Sequence, residues 1–322
     1  MMEHRDVRID RLRLLASFGV VMLHSSTGSG AGDLALNALF RFSVPVFVII
    51  SGWFQLAAPI PPERLARKSL RLFGKLILWA GIFQVYLRLV RGAWSDDLLT
   101  ELLTQPYHLW YLYATIGLYL LTPALYPFVR SARKWEYRYA LGFCFALGCV
   151  GMTLIRLEWI PVLAVILDQS KLPTVLGFLF LYLLGGYFRR FGLEHPNRWL
   201  AVGIVSAIIS IISTATPYRE PLLSFFSPNA ALSGGACFVL YMTRQPPQER
   251  FRSLLAQASD CTMGVYLLHP LVSKLLKPRL RPLQAVIFPA GYMVLVCVCI
   301  FSAAFAAVWL LSRSKPVKRI LF

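Results

Sequence analysis

Charge is scarce in this chain of 322 residues: Asp, Glu, Lys and Arg together make up 15% of it, where soluble globular domains carry about 25%. That scarcity argues against an ordinary soluble enzyme. Long polar stretches are missing too, while hydrophobic residues reach 57% and aromatics 14%, which excludes a disordered chain. Acids are the scarcer sign, 15 against 33 basic residues. Glu158 and Asp168 fall in an outer loop, and no carboxylate pair of the glycosidase kind can be read. The six cysteines, Cys144, Cys149, Cys237, Cys261, Cys297 and Cys299, include no CxxC pair. All sit in apolar runs, where they are expected to pack as small apolar residues rather than bind zinc or form disulfides. The first apolar run has no small-residue cleavage pattern and reads as a span rather than a leader. Internal repeats and low-complexity segments are also lacking.

What the chain has instead is apolar runs of about 17–25 residues, each long enough to cross ~30 Å of hydrocarbon. Ten are read, at 12–27, 36–57, 72–90, 108–129, 139–155, 173–188, 199–215, 228–242, 259–276 and 284–311. They leave no loop beyond about 20 residues between them and consume the chain, so one transmembrane domain over 1–322 is expected, with no soluble domain attached. The net charge of +18 then has a location. With the N-terminus in the cytoplasm, inner segments hold 22 of the 33 bases, in clusters such as Arg5–Arg13, Arg64–Arg71, Arg130–Arg138 and Arg313–Arg319. Nine fall outside: Arg88, Arg91, Arg156, Lys171, Arg219, Lys274, Lys277, Arg279 and Arg281. Arg41 and Lys75 fall within spans. Cytoplasmic loops gather Lys and Arg, so the expected fold is an all-α polytopic bundle of about ten transmembrane helices with both termini cytoplasmic. Bases spread over membrane-flanking loops are not a nucleic-acid footprint. The 274–281 cluster is the exception and marks either an anionic acceptor or a misdrawn span.

Ionisable groups inside a bilayer are costly and mark function by default. The first span carries Asp10, Arg11 and Arg13, then the apolar run Leu14–Leu23, then His24. At ~100° per residue, Arg13 and His24 lie within about 20° of each other and roughly 16 Å apart along the axis. Ser17 and Thr27 fall within about 40° of Arg13, and Asp10 within about 60°. One helix face therefore has a cation at its inner end and an imidazole deeper in. A histidine can take a proton from a hydroxyl or carry an acyl group; an arginine can hold a phosphate or snorkel to the headgroups. His108 and Trp110 open the fourth span, suiting either a sugar site or an interfacial belt. His269 precedes Pro270 inside a span, where it either lines a pore or satisfies backbone that the proline frees. Ser51-Gly52 and Gly185-Gly186 allow close helix contact. His4 and His195 lie beside bases in inner segments and read as solvated.

Five segments carry a family resemblance. IDRLRLLASFGVVMLH in the first span, with Arg13, ten residues and His24, resembles the hallmark of the membrane acyltransferase 3 family. Ser43–Phe54 (SVPVFVIISGWF) is similar to its VPxFFxISG segment, RLARKSLRLF to its basic RxxR-type loop, His108–Tyr113 to HLWFL, and Met263–Pro270 (MGVYLLHP) to GIYLxHP. The matches run in order from about residue 8 to 275. The layout resembles the enterobacterial common antigen O-acetyltransferase branch more than members with a fused SGNH domain.

The resemblance implies an integral membrane O-acetyltransferase in a bacterial inner membrane. It would move acetyl from cytoplasmic acetyl-CoA to a hydroxyl of a cell-envelope polysaccharide or lipid-linked glycan, without metal or nucleic acid, and it leaves a homo-oligomer open. It makes His24 the catalytic histidine and Arg13 its partner. Arg13, Arg67, Lys68 and Arg71 are then candidates for the CoA phosphates, since arginine forks and lysine point charges both suit phosphate. Asp10, three residues from Arg13, would orient it, and His108, Trp110 and His269 would face the acceptor. A related membrane domain of the family is associated with amino-acid uptake, so the alternative is a transporter or flippase.

Overall fold

The computed structural model describes residues 5–28, 30–92, 108–170 and 172–322. His4 and Lys171 lie outside the described residues. Those described form helices and connecting turns, with no strand among them. Besides a single turn at Arg219–Leu222, the α-helices are α1 (Val7–Ser25), α2 (Ala31–Leu39), α3 (Ser43–Gln55), α4 (Pro62–Arg91), α5 (Trp110–Ser131), α6 (Lys134–Leu157), α7 (Pro161–Ser170), α8 (Leu172–Phe191), α9 (Pro196–Ser213), α10 (Pro228–Thr243), α11 (Glu249–Asp260), α12 (Thr262–Leu280), α13 (Pro289–Leu311) and α14 (Lys315–Leu321).

Among the described residues six segments are long and apolar enough to cross a membrane: Ala31–Gln55, Pro62–Val90, Trp110–Ser131, Lys134–Leu157, Pro196–Ser213 and Pro289–Leu311. Each of the ten apolar ranges overlaps a helix. The range 36–57 is a broken one, with a 3-10 turn at Phe40–Phe42 joining α2 to α3. α1 stands apart from the six because Arg8, Asp10, Arg11 and Arg13 crowd its first two turns. Outward-facing Leu120, Ile204, Ile208, Ile212 and Val294 are exposed. On a soluble protein such apolar surface would invite association; in a bilayer it is the surface lipid covers.

Without a hydrophobic drive between helices in lipid, close backbone approach supplies the packing. The α3–α8 pair does this with the two glycine sites the sequence offers. A Cβ on Gly52 would lie 1.9 Å from the Tyr182 carbonyl oxygen, and one on Gly185 would lie 2.1 Å from that of Ile49. A π-helical turn at Phe145–Gly151 in α6 lets Gly148 meet Gly177 of α8 in the same way. Around this contact sit Val46, Ile49, Leu181, Phe188 and Phe238, all buried.

Segments near the two ends of the described chain meet at one end of α11. Arg5 and Lys318 each reach Asp260, at 2.9 and 3.9 Å. Arg8 also donates to the Met242 carbonyl there, at 2.7 Å.

Because the atoms facing Gly52 and Gly185 are backbone and cannot swing aside, Gly52→Ala or Gly185→Ala should cost at least the ~1–3 kcal/mol typical of overpacking. Gly117→Ala, with nothing within 4 Å, should be neutral or slightly stabilising. Thermal unfolding of the detergent-solubilised protein separates the two classes.

Candidate active site

α1 begins where Asp6 caps the Arg8 amide at 3.0 Å, satisfying one of the orphan donors of a helix start. One turn further, Asp10 is almost wholly buried. Its close partner is Arg5, which donates to both carboxylate oxygens at 2.7 and 2.9 Å. Arg13 stands 4.0 Å from the same carboxylate and lies over the Phe54 ring, 5.3 Å from its centroid. The carboxylate thus fixes the entry of α1 through Arg5, with Arg13 at the edge of the pair. Hydrogen bonding by Asp10 raises the Arg5 pKa above its ordinary value, against the opposing effect of burial.

The other end of α1 is also pinned. The last carbonyls of a helix lack helical partners. Here Asn37 Nδ2 donates to the Leu23 carbonyl at 3.2 Å and Lys277 Nζ to the His24 carbonyl at 2.7 Å. Asn37 in turn accepts from Arg41 at 3.0 and 2.8 Å. A cation at a helix C-terminus is favourable. Lys277 therefore has a structural task, and one member of the 274–281 cluster is explained by it. Lys274 sits 5.7 Å from the Tyr86 ring centroid.

Between the two ends lies a cavity of about 550 Å³ whose wall includes both Arg13 and His24. Ser51, Thr115, Tyr111 and Tyr119 add hydroxyls to it. His108 and Trp110 also line it. Neither belongs to an open interfacial belt: His108 is buried, and Trp110 stacks on Phe225 with centroids 5.6 Å apart. The Tyr266 hydroxyl donates to the His108 carbonyl. His269 is fully buried behind the wall, with its ring centroid 5.2 Å from that of His24 and 6.0 Å from that of His108. Ser17 is buried, with no hydrogen-bond partner for its hydroxyl among the described residues, and Thr27, beyond the end of α1, bonds Asp33 at 2.7 Å.

The basic loop is placed differently. Arg67 and Arg71 are exposed, Lys68 donates to Gln55 at 3.2 Å, and none of the three lines the cavity. Lys75, one turn on from Arg71 in α4, does line it, half-buried, with its ammonium on the Phe322 carbonyl. Sequence reasoning missed Arg5, Lys75, Lys277 and Tyr266. For Lys75 the signal existed, a lysine inside an apolar span, and for Arg5 a nearby acid, Asp10; the Ala256 carbonyl that Arg5 also meets and the His24 carbonyl that Lys277 meets are 251 and 253 residues away, and no local pattern reports those. Among the described residues no group of three His, Cys, Asp or Glu side chains is arranged to hold a metal ion.

Removing Arg5 strands the buried Asp10 carboxylate. A fully buried pair costs about 3–5 kcal/mol to break, and the 44% exposure of Arg5 lowers that to about 2 kcal/mol. Arg5→Ala should therefore lower thermal stability clearly more than Arg13→Ala. Equal losses would mean that Arg13 is the true partner.

The family described as an acyltransferase domain matches residues 6–312. A protein from Enterococcus faecalis named amino-acid racemase is 24% identical over 307 residues, covering 84% of this chain. The chain spans 41% of that relative's length. No solved structure matches the chain. A family match over nearly the whole length, on a helical chain with several membrane-length helices, places the protein in the acyltransferase 3 family of multi-pass membrane acyltransferases.

Proposed function

We propose that the protein is an inner-membrane O-acetyltransferase that takes acetyl from cytoplasmic acetyl-CoA and delivers it to a hydroxyl of a cell-envelope glycan. The observation that carries this reading is the single cavity shared by Arg13 and His24, separated by roughly 16 Å along one helix. CoA has the same polarity: phosphates at one end, a long pantetheine arm, and a thioester at the other. Arg13 and Lys75 would meet the phosphates. His24 would meet the thioester and the acceptor, beside His108 and Trp110.

His24 acts as general base, with the acceptor oxygen attacking the thioester carbonyl while the imidazole takes the hydroxyl proton. The C–S bond then breaks, and CoA leaves as the thiol on receiving that proton. In the variant with a transient carrier, a His24 nitrogen attacks first, CoA leaves, and the acceptor hydroxyl displaces the imidazole. Both outcomes transfer one acetyl group and release one CoA.

The apolar ranges all fall on helices, and Arg5 and Lys318 meet at Asp260, which supports an even number of crossings. The excess of bases at that end favours the cytoplasm for both termini.

The cavity lined by buried ionisable groups also suits a second reading, a carrier of a small solute, and the relative named for an amino acid makes an amino acid the solute to try. Membranes given radiolabelled acetyl-CoA decide between the two: label should enter extractable envelope glycan, and counterflow of an amino acid without label transfer would replace the enzyme by a carrier.

His24→Ala should reduce transfer by at least 10³-fold while the protein reaches the membrane normally; retained acetylation removes His24 from the reaction. Lys75→Ala should raise the KM for acetyl-CoA about tenfold, the scale of one lost charge-assisted contact of about 1.4 kcal/mol, whereas Arg67→Ala should change it less than twofold.

A further inference from the structure

The His269-Pro270 pair does something that neither residue does alone. In α12 the Tyr266 carbonyl would ordinarily accept from the amide of residue 270. Residue 270 is proline and has no N–H, so that carbonyl is freed inside an apolar bundle, where an unpaired backbone group is costly. His269 is oriented to meet it. Its Nδ1 lies 2.9 Å from the Tyr266 carbonyl oxygen and 3.1 Å from that of Val265. Two carbonyl oxygens can only accept, so Nδ1 carries the hydrogen. In a neutral imidazole the other nitrogen is then a bare acceptor. Nε2 of His269 is buried and has no hydrogen-bond partner among the described residues.

Two other imidazoles pack beside this ring, His24 with centroids 5.2 Å apart and His108 with centroids 6.0 Å apart. A ring nitrogen lies ~1.2 Å from its centroid, so rings turned nitrogen to nitrogen come to ~2.8 Å across the shorter gap, within hydrogen-bond range, and to ~3.6 Å across the longer, beyond it. At the ring orientations of this structure the contact is open, and closing it takes a turn of the His24 ring.

We propose that His269 is the positioning residue for His24: its proline-fixed tautomer offers Nε2 as the acceptor for one His24 N–H, so that the other His24 nitrogen faces the cavity as the base. The inference rests on the reading of His24 as the reacting histidine and adds the group that orients it. A base oriented by a third group is the general logic of activated nucleophile pairs. Here the orienting group is neutral. When His24 takes the acceptor's proton, its own N–H stays on His269 and no charge is handed on.

Asparagine and glutamine separate the two nitrogens of His269. Asn places an amide N–H near the Nδ1 position and deletes Nε2; Gln reaches the Nε2 position with an acceptor oxygen. Initial rates of label transfer from radiolabelled acetyl-CoA into membrane glycan, with protein level measured in the same membranes, should show kcat lowered at least 100-fold in His269→Asn and less than tenfold in His269→Gln, with KM for acetyl-CoA within twofold in both. A His269→Asn rate within twofold of wild type, or equal loss in both variants, overturns the assignment. His24→Ala keeps the two readings distinct: if it is active, the His24 reading fails; if it is inactive while His269→Asn is active, only the His269 role fails. The tautomer is read in the unaltered protein, with His269→Gln used to assign the signal. In ¹⁵N-histidine spectra of the unaltered protein, the signals absent from His269→Gln should belong to a neutral ring protonated at Nδ1, and a ring protonated at Nε2 overturns the proposal.

Discussion

The constraint on which the rest depends is that α1 must carry Arg13 and His24 through a largely apolar bundle without leaving its ends unpaired. A helix holds its interior hydrogen bonds by itself; its termini need outside donors and acceptors. α1 receives them from far along the chain. Arg5 ties the buried Asp10 to Asp260 and the Ala256 carbonyl at one end. Asn37 and Lys277 close the Leu23 and His24 carbonyls at the other. With both ends held, the helix has little freedom to rotate, and the face bearing Arg13 and His24 stays on the cavity. Much of the surrounding architecture serves this alignment. α3, packed on α8 through Gly52 and Gly185, adds Phe47 and Ser51 to the cavity wall.

The legible part of this protein was the part set by local periodicity and by composition. Apolar runs located the helices, because span length is fixed by hydrocarbon thickness and not by tertiary detail. The eleven-residue spacing of Arg13 and His24 put them on one face, because 3.6 residues per turn is a property of the backbone. Gly52 and Gly185 were readable as contact sites because only glycine admits a carbonyl at such distances. The basic loop was less legible. Arg67 and Arg71 match the family pattern, yet they are exposed, while Lys75, one turn beyond Arg71 on nearly the same face of α4, lines the cavity. A one-dimensional pattern gives a helix's faces but not the height along its axis at which a cavity begins.

The 274–281 cluster shows why charge counting needs geometry. By topology alone those bases stand on the wrong side of the membrane. Lys277 spends its charge on the carbonyl end of α1, where the helix dipole favours a cation, and Arg279 donates to the Leu275 carbonyl of its own helix at 2.5 Å. A base used in this way carries little weight as a topological signal, because its position is set by a helix end and not by the membrane potential or by lipid.

The scarcity of acids has a counterpart in the site. Soluble enzymes often orient a histidine with a buried carboxylate, and the ion pair formed during reaction repays its desolvation. In a bundle surrounded by hydrocarbon the unpaired carboxylate is expensive throughout the resting state. Among the described residues the carboxylate in the cavity wall is Asp260, and Arg5 and Lys318 already neutralise it. Beside His24 stands a neutral imidazole whose tautomer is fixed by two backbone carbonyls. Such an acceptor is a weaker electrostatic partner for an imidazolium than a carboxylate is, but it carries no charge to desolvate before substrate arrives. The cost of directing His24 is shifted from burying an anion to breaking one helical hydrogen bond at Pro270, and the carbonyl that this break releases is the same one that holds His269 in place.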